Sequence, residues 1–471
     1  MATPIPDNEA SFDADELSAA VGPRVRGEGR AVRGVVLDSR RVGPGNVFVA
    51  LRGEQHDAHR FVESAVASGA AAVIVDREIG PLDVDVYRVP DTLAALGALG
   101  ALHRARSRAE VIAVTGSVGK TTTKELIAAA LRGMGRTVLA TAGNLNNRIG
   151  VPMTLLSITD AHDAAVIEIG MSIPGEIADL ARMTAPHVGV VTAVAEVHTE
   201  GVGGLAGVAR EKGALLDALP EDGVAIHPER APLLQPYVDA STARRKLRFG
   251  VDPGSDVRAE DITVDEAGTR FTLALGERRF GARLALLGEA AAIDAAAALA
   301  AVSELEGPLD AAIAAMSEVP RVAQRMCTIA VEGGVLLVDD TYNASPSSMA
   351  AALRTAAGLA KARGGRAIAV LGDMLELGDA EVRAHEALGR QVVELGAAAL
   401  LAHGARMAHA VKAATRAQSG TLSTKIRLLA DIDAIAGSVR ELAQAGDVVL
   451  VKGSRGMRME RVVAALGGPS A

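Results

Sequence analysis

Residues 111–127, VIAVTGSVGKTTTKELI, combine an apolar run, a glycine-containing loop and a Lys-Thr pair that opens a helical pattern. Gly116 and Gly119 let the backbone turn so that successive amide groups point inward, and the following helix directs its positive N-terminal end to the same place. Lys120 is placed to contact the β and γ phosphates of a nucleotide, and the Thr121 hydroxyl to ligate Mg²⁺. The segment therefore predicts an ATP site.

This loop departs from the strict phosphate-loop pattern at one position, because Val114 stands where that pattern has glycine. The alternative is a plain glycine turn between a strand and a helix. The strand-loop-helix context favours phosphate binding over that alternative. The residues assigned to the nucleotide in this segment are Thr115, Gly116, Ser117, Val118, Gly119, Lys120 and Thr121.

Other polar residues follow apolar runs or lie on helical segments elsewhere in the chain. Glu168 ends the run AAVIE, His198 follows VVTAVAEV, and Lys212 lies in the segment VAREKGALL. Each would more often be structural when considered alone. A carboxylate and a histidine that leave strands of the sheet carrying a phosphate loop can nevertheless converge on its metal ion.

The elements that must position these residues predict an α/β protein of three domains, with bounds at 1–107, 108–319 and 320–471. The first is a small α/β module. The second has strands that are apolar on both faces, which indicates a parallel sheet of the phosphate-loop ATPase type covered by helices, with an antiparallel excursion over 245–287. The third is Rossmann-like, and its strands end in Asp, His, Lys or Gly, which indicates a second ligand-binding rim.

The composition argues against several classes of partner. The chain has 49 Lys+Arg against 57 Asp+Glu and only 2% aromatic residues, so neither nucleic acid nor an anionic membrane is expected as a partner. Cys327 is the single cysteine, which excludes an intramolecular disulfide. The acidic N-terminal stretch does not resemble a secretory signal, and no apolar run reaches the length of about 18 residues that a membrane span needs. We expect a cytoplasmic protein without membrane insertion.

Taken together, the motifs resemble those of the Mur ligases, three-domain ATP-dependent enzymes that extend the peptide of the peptidoglycan precursor. The resemblance covers residues 38–460. Four stretches are similar to the family member that adds the dipeptide D-Ala-D-Ala, and in the last three of them sibling ligases that add single amino acids carry different sequences. These stretches are TAGNLNNRIGVPMTLL, DDTYNASPSSMAAAL (339–353), LGDMLELGDAEVRAHEALG (371–389) and VLVKGSRGMRMERVV.

The resemblance implies a reaction that needs no protein nucleophile. The C-terminal carboxylate of UDP-N-acetylmuramoyl-tripeptide would attack the γ-phosphorus of ATP to form an acyl phosphate, which the amine of D-alanyl-D-alanine then displaces. The rate would come from placing two polyanions together and neutralising the charge that develops. ATP and two Mg²⁺ ions are the expected cofactors, and a monomer is the expected form.

The resemblance also implies roles for individual residues. Thr121 and Glu168 match ligands of the first Mg²⁺, His198 matches a ligand of the second, and Lys212 matches a lysine that family members carry as a carbamate. The implied catalytic residues are Lys120, Glu168, His198, Lys212 and Arg325, the last of which reaches the ATP phosphates.

The remaining implied residues bind the nucleotide or the two substrates. Asp340 and Tyr342 match positions near the ribose and base of ATP. The first domain resembles the family's uridine-nucleotide module, and the candidates for the UDP-sugar substrate are Ser39, Arg40, Asn144 and Asn147. The candidates for the dipeptide are Leu375, Glu376, Lys452 and Arg455.

Two departures from the family pattern concern the nucleotide. Where the family usually shows Gly-x-His-Asn-x-x-Asn, this chain reads GEAAAID from Gly288, so Ala290, Ala291 and Asp294 replace residues that help to hold adenine. Gln324 replaces the glycine of a Gly-Arg pair in the third domain. The alternatives to a dipeptide ligase are a sibling ligase, a folylpolyglutamate synthase of the same architecture, a non-catalytic UDP-sugar-binding protein and a nucleotide switch.

Overall fold

The computed structural model describes residues 3–53, 56–196, 201–418 and 423–469, and it confirms an α/β protein with largely parallel sheets. The strands are β1 Ser11–Phe12, β2 Arg24–Arg26, β3 Val32–Arg33, β4 Val35–Val36, β5 Val47–Val49, β6 Ala72–Val75, β7 Asp85–Arg88, β8 Glu110–Thr115, β9 Val138–Ala140, β10 Ala164–Glu168, β11 Val188–Val191, β12 Val224–Pro228, β13 Arg245–Gly250, β14 Val257–Asp265, β15 Gly268–Leu275, β16 Arg278–Leu284, β17 Cys327–Val331, β18 Val335–Asp340, β19 Ala367–Gly372, β20 Ala399–His403, β21 Lys425–Leu429 and β22 Val448–Lys452.

Helices cover the sheets. The α-helices are α1 Ala14–Val21, α2 Val62–Ala67, α3 Thr92–Arg106, α4 Lys120–Gly133, α5 Gly150–Leu156, α6 Glu176–Thr184, α7 Gly204–Asp217, α8 Gln235–Ala240, α9 Glu289–Ser303, α10 Leu309–Ser317, α11 Pro346–Ala362, α12 Glu381–Glu394, α13 Met407–Ala417, α14 Ile432–Leu442 and α15 Glu460–Ala465. No helix in the described ranges is long and apolar enough to cross a membrane.

The N-terminal sheet has the strand order β2-β7-β6-β5-β4, with β4 to β7 parallel and β2 antiparallel at the edge. Phe48, Ile74 and Tyr87 are fully buried in its core. Helix α3 packs closely against the central part of the chain, because a Cβ at Gly100 would lie 2.9 Å from the Cα of Pro152. This contact joins the N-terminal sheet to the loop and helix that follow β9.

The central sheet has the order β16-β15-β14-β13-β12-β11-β8-β10-β9. Strand β8, which leads into the phosphate loop, lies between β10 and β11 in the interior of the sheet. Its side chains are buried on both faces because helices cover both, which explains the continuous apolar runs of the sequence. The predicted antiparallel excursion is confirmed for β14 to β16, whereas β13 still pairs in parallel.

The C-terminal sheet has the order β17-β18-β22-β19-β20-β21, in which only β17 is antiparallel. The carboxyl ends of parallel strands share one edge of a sheet, so the residues that follow β18, β19 and β22 lie near one another. That edge carries Asp340, Lys452 and the turn at Leu375.

Candidate active site between the central and C-terminal sheets

A cavity of about 360 Å³ lies between the phosphate loop of the central sheet and the carboxyl edge of the C-terminal sheet. The start of α9 and the start of α11 close its sides. Many residues that the sequence analysis selected for ATP, for Mg²⁺ or for a substrate line it together. These residues are Ser117, Val118, Gly119, Lys120, Thr121, Asn144, Glu168, Arg325, Asp340, Tyr342 and Lys452.

The backbone of the phosphate loop is fixed by two glycines with positive φ. Gly116 has φ +149° and Gly119 has φ +86°. A Cβ at Gly119 would lie 2.5 Å from Asp294 Oδ1, and one at Gly116 would collide with the Thr192 hydroxyl. That hydroxyl also donates to the Val118 carbonyl at 2.6 Å, so neighbouring elements hold the loop in shape. Glycine is therefore required at both positions for space as well as for conformation.

Two polar side chains of the loop donate hydrogen bonds to backbone carbonyls of the protein. Thr115 is fully buried and its hydroxyl donates to the Ile169 carbonyl at 2.8 Å, so its side chain stabilises the sheet and does not line the cavity. The prediction that Thr115 contacts the nucleotide stays a prediction, and its buried side chain leaves only its backbone for that contact. Lys120 Nζ donates to the Gly116 carbonyl at 2.7 Å. Removal from water lowers the pKa of Lys120, and the Glu168 carboxylate opposes that shift.

Glu168 presents an unpartnered carboxylate oxygen. The side chain is 2% exposed; its Oε1 accepts from Asn146 Nδ2 at 2.7 Å, and its buried Oε2 has no hydrogen-bond partner in the described part of the chain. A buried carboxylate oxygen is costly unless it binds a donor or a cation. Glu168 and the Thr121 hydroxyl on the same cavity wall are hard oxygen donors, which fit Mg²⁺.

Sequence reasoning missed Asn146, which lies in the loop where Asn144 and Asn147 were selected. Asn147 Oδ1 accepts from the backbone amides of Ile149 and Gly150 just before α5, and Asn147 does not line the cavity. Asn144 does line the cavity, and its Oδ1 accepts from the Thr3 hydroxyl at 2.8 Å. The three asparagines were indistinguishable by type, and only their contacts separate their roles.

Within the described ranges, no three or more His, Cys, Asp or Glu residues cluster closely enough to form a complete metal site. This is compatible with Mg²⁺, which usually takes one or two carboxylates and completes its shell with phosphates and water. His198 falls at 197–200, outside the residues that the structure describes.

Lys212 on α7 is 4% exposed. Removal from water lowers the pKa of its ammonium to about 7, and the Lys120 charge acts in the same direction. The Glu211 and Glu176 carboxylates oppose the shift. A lysine with a pKa near 7 is largely neutral at slightly higher pH, and a neutral amine is the form that can react with carbon dioxide.

Arg325 and Tyr342 stack in the cavity wall. The Arg325 Cζ lies 4.2 Å from the centroid of the Tyr342 ring, within cation-π distance. The Arg325 Nε is buried and has no hydrogen-bond partner among the described residues. The stacked guanidinium is therefore held in place with donor capacity left for a ligand in the cavity.

Lys452 and Asp340 form a buried ion pair in the same wall. Lys452 is 2% exposed, and its Nζ donates to Asp340 Oδ2 at 2.5 Å and to the Asn343 carbonyl at 2.8 Å. Asp340 Oδ1 also accepts from the Met326 amide at 3.2 Å. The Lys452 ammonium is thus paired with a carboxylate, and its binding of the dipeptide carboxylate stays a prediction.

The end of the cavity where the sequence predicts the base, called the base end, is lined mainly by apolar side chains, with Asp294 and the Thr355 hydroxyl as polar groups beside them. Its walls include Leu286, Leu287, Ala290 and Ala291, and Asp294 lies where this surface meets the phosphate loop. Removal from water raises the pKa of Asp294 to about 8, opposed by the hydrogen bond from Thr123 and by the Arg325 charge. Asp294 is therefore a neutral carboxylic acid at pH 7, able both to donate and to accept a hydrogen bond.

The predicted dipeptide residues other than Lys452 lie beside the cavity. The Leu375 amide donates to Ser454 Oγ at 2.9 Å, so the turn after β19 contacts the turn after β22 that carries Arg455. Glu376 is exposed and has φ +62°. Arg455 is exposed, and its Cζ lies 5.7 Å from the Tyr342 ring centroid. These three residues form a rim next to the ATP residues.

The two candidates for the UDP-sugar substrate in the N-terminal part of the chain, Ser39 and Arg40, do not line this cavity. Ser39 and Arg40 belong to a short 3₁₀ turn, Ser39–Arg41, that Asp38 caps. Arg40 Nη2 donates to Asp38 Oδ2 at 2.6 Å, and this contact lowers the pKa of Asp38 to about 2. The Arg40 side chain is otherwise exposed.

Comparisons with known protein families cover most of the chain. Residues 31–134 match the Mur ligase family catalytic domain, residues 114–302 the Mur ligase middle domain, and residues 324–455 the glutamate ligase domain of Mur ligases. The UDP-N-acetylmuramoyl-tripeptide--D-alanyl-D-alanine ligase of Escherichia coli K12 is 38% identical, over 97% of this chain and 98% of that protein.

Solved structures give the same result. The chain is similar to MurF from Acinetobacter baumannii, with a TM-score of 0.86, 31% identity and coverage of 98% of this chain and 99% of that one. It is also similar to MurF ligase from Thermotoga maritima in complex with ADP, with a TM-score of 0.81, 29% identity and coverage of 92% and 96%. The cavity geometry, the family models and these relatives agree. The chain belongs to the Mur ligase family.

Proposed function

We propose that this chain is an ATP-dependent ligase that joins D-alanyl-D-alanine to UDP-N-acetylmuramoyl-tripeptide, giving the UDP-muramoyl-pentapeptide of peptidoglycan synthesis. The observation that carries the proposal is 38% identity, along nearly the whole chain, to a ligase named for that reaction. The cavity supports the proposal, because Lys120, Glu168 and Arg325 line it together and suit the phosphates of a nucleoside triphosphate and its metal ion. We propose domain bounds at 1–107, 108–319 and 320–471, and a monomer in the cytoplasm.

In the proposed reaction, an oxygen of the tripeptide carboxylate forms a bond to the γ-phosphorus of ATP, and the bond from that phosphorus to the β-phosphate oxygen breaks. The products are ADP and an acyl phosphate. The amine of the dipeptide then attacks the acyl carbon, phosphate leaves, and the amine loses a proton. Lys120 and Arg325 supply fixed positive charge for the phosphates, the groups whose charge changes most during transfer.

Thr121 and Glu168 would hold one Mg²⁺ ion, and the unpartnered Oε2 of Glu168 is the observation that favours this role. When bound, Mg²⁺ neutralises phosphate charge. We propose His198 and Lys212 as ligands of a second ion, with Lys212 as a carbamate. An ammonium would repel the cation, whereas a carbamate supplies an anionic oxygen.

Carbamate formation joins the neutral Lys212 amine to carbon dioxide and releases one proton. The burial that lowers the Lys212 pKa to about 7 favours that neutral amine. Lys212→Ala should fold normally and lose nearly all turnover, and an added short carboxylic acid should restore part of it. Lys212→Arg cannot form a carbamate, so wild-type turnover in that variant would contradict the proposal.

The acceptor would bind at the rim beside Tyr342. Arg455 offers a guanidinium for the dipeptide carboxylate, and Glu376 offers a carboxylate for its ammonium group before the amine reacts. Leu375 precedes Glu376 in the turn after β19, and its backbone amide donates to Ser454 Oγ. For the other substrate, UDP-N-acetylmuramoyl-tripeptide, we propose four residues that bind its UDP-sugar part. They are Ser39, Arg40, Asn144 and Asn147.

The experiment is ADP release measured across a panel of UDP-muramoyl peptides and amine acceptors. We expect release with UDP-muramoyl-tripeptide and D-Ala-D-Ala together, and none when D-Ala, L-Ala, L-Lys or D-Glu replaces the dipeptide. Faster turnover with a single amino acid would move the assignment to a sibling ligase. ADP release that no carboxylate substrate stimulates would favour a binding protein or a nucleotide switch.

A further inference from the structure

Gln324 occupies a backbone conformation that favours glycine. It directly precedes Arg325, and its φ is +62°. Met326, on the other side of Arg325, also has a positive φ of +50°. Side chains in this region of backbone space are strained, and such strain persists where neighbouring contacts hold it. A glycine at position 324 would adopt the same conformation without that strain.

The contacts of Gln324 show what holds it there. Its carbonyl oxygen accepts from the Tyr342 amide at 3.1 Å, and its side-chain Oε1 accepts from Arg455 Nη1 at 2.5 Å. Position 324 is therefore tied to the end of β18 through its backbone and to the turn after β22 through its side chain. Only the second contact requires glutamine, because glycine would keep the backbone bond.

The side-chain contact places Arg455 next to the nucleotide wall. The Arg455 Cζ lies 5.7 Å from the Tyr342 ring centroid, and the Arg325 Cζ lies 4.2 Å from the same centroid. Both guanidinium groups are thus within cation-π distance of one ring. The amide oxygen of Gln324 is neutral and engages one of the five N–H donors of Arg455, so the positive charge and the other donors remain for an anion.

We propose that Gln324 is a positioning residue that holds the Arg455 guanidinium beside Tyr342 for the carboxylate of the acceptor. This inference rests on the proposed function, in which Arg455 binds that carboxylate. Gln324 itself contacts neither substrate in the proposal. It acts by restricting a long, exposed side chain to one location, which reduces the conformational entropy lost when the acceptor binds.

The test compares steady-state constants of the full-length enzyme and its Gln324→Gly and Gln324→Glu variants. Gln324→Gly should raise the KM for D-Ala-D-Ala roughly 3- to 10-fold, the effect of losing one hydrogen bond, with a much smaller change in kcat and in the KM for ATP. Its midpoint of thermal unfolding should equal or exceed that of the wild type, because the strain at position 324 is relieved. Gln324→Glu should raise the dipeptide KM further, because its carboxylate competes with that of the acceptor for Arg455.

Two further variants complete the design. Gln235→Ala, on the exposed surface of α8 and away from the cavity, should leave all constants unchanged. In an Arg455→Ala background, Gln324→Gly should have no additional effect on the dipeptide KM, because the two residues act through one contact.

The outcomes separate this inference from the proposed function. A wild-type enzyme that uses the dipeptide, with an unchanged dipeptide KM in Gln324→Gly, overturns the inference alone. A fall in kcat accompanied by a lower unfolding midpoint also overturns it, since that would be a structural role. A wild-type enzyme that uses a single amino acid and not the dipeptide overturns the proposed function, and the inference with it.

Discussion

The two ends of the cavity are lined by different kinds of side chain. The phosphate end presents charged side chains and a hydroxyl beside the phosphate loop, and the base end is mainly a surface of Leu and Ala side chains with Asp294 and Thr355 beside it. The residues of the phosphate end are Lys120, Thr121, Glu168 and Arg325, and those of the base end are Leu286, Leu287, Ala290, Ala291 and Asp294.

This difference follows from what each end must do. Phosphates carry negative charge that is redistributed during transfer, so their recognition depends on fixed cations and on a loop shape that only glycine allows. An adenine ring is largely apolar, and each hydrogen bond to its edge contributes only about 0.5 to 1.5 kcal/mol. The phosphate end therefore keeps the family pattern, and the base end tolerates the sequence GEAAAID.

The largest effect should come from Arg325 at the phosphate end. We expect Arg325→Ala to lower kcat by roughly 10³-fold, a typical loss for an arginine that stabilises a transferring phosphoryl group. Arg427→Ala, which removes an arginine paired with Glu441 in the same domain, should retain activity. Single-turnover ADP formation is the measurement. A decrease in kcat of less than tenfold would show that Arg325 does not contact the transferring phosphate.

A smaller effect should come from Asn146, which holds one oxygen of Glu168. Asn146→Ala should weaken Mg²⁺ binding roughly 10- to 100-fold, as is usual for partners that orient a metal ligand. Asn144→Ala, in the same loop, should not change Mg²⁺ affinity. Calorimetric titration of Mg²⁺ into the enzyme with bound ADP measures this without turnover. Equal Mg²⁺ affinities for the wild type and Asn146→Ala would show that Asn146 does not orient a Mg²⁺ ligand.

At the base end, Asp294 should make stability depend on pH. Its pKa is raised from 3.8 to about 8, so between these values the folded state keeps a proton that the unfolded state has lost. Its contribution is thus fully present below about pH 4 and is lost as the pH rises toward 8.

The test is the substitution Asp294→Asn, which cannot ionise. It should be more stable than the wild type at pH 8, by about 1 to 3 kcal/mol, and nearly equal to it at pH 4.5. The measurement is chemical denaturation of both proteins at the two pH values. A stability difference that is the same at both pH values would show that Asp294 does not titrate in this range.

The smallest effect concerns the choice of base. Ala290 and Ala291 cannot hydrogen-bond through their side chains, which leaves Asp294 as the ionisable side chain at this end. A single hydrogen bond of about 0.5 to 1.5 kcal/mol separates two ligands by no more than roughly tenfold. We expect kcat/KM for ATP and GTP to differ by about that factor. A preference of several thousandfold would show that other groups read the base.

Local features of the sequence predicted the phosphate end and much of the fold. The runs VIAVT and AAVIE became β8 and β10 because a strand with two buried faces needs apolar residues throughout. Gly116 and Gly119 could be recognised because loop shape depends on the φ of those residues themselves. Glu168 could be predicted to lie beside the phosphate loop because it ends one of these strands.

Pairings between distant parts of the chain could not be predicted in the same way. The family resemblance implied Lys452 as a candidate for the dipeptide, but nothing in the sequence indicated that its ammonium would pair with Asp340. Asn146 looked like its two neighbours until the fold set it beside Glu168.

This difference between local features and long-range contacts holds for the rest of the molecule. The sequence by itself determined the phosphate loop, the apolar strands and the family resemblance, since these depend on residues close together in the chain. Only the tertiary structure decided which charges are neutralised and which polar atoms remain unpartnered. The contact of Gln324 with Arg455 also depends on the tertiary structure, because it joins residues that meet only when β18 and β22 pair in one sheet.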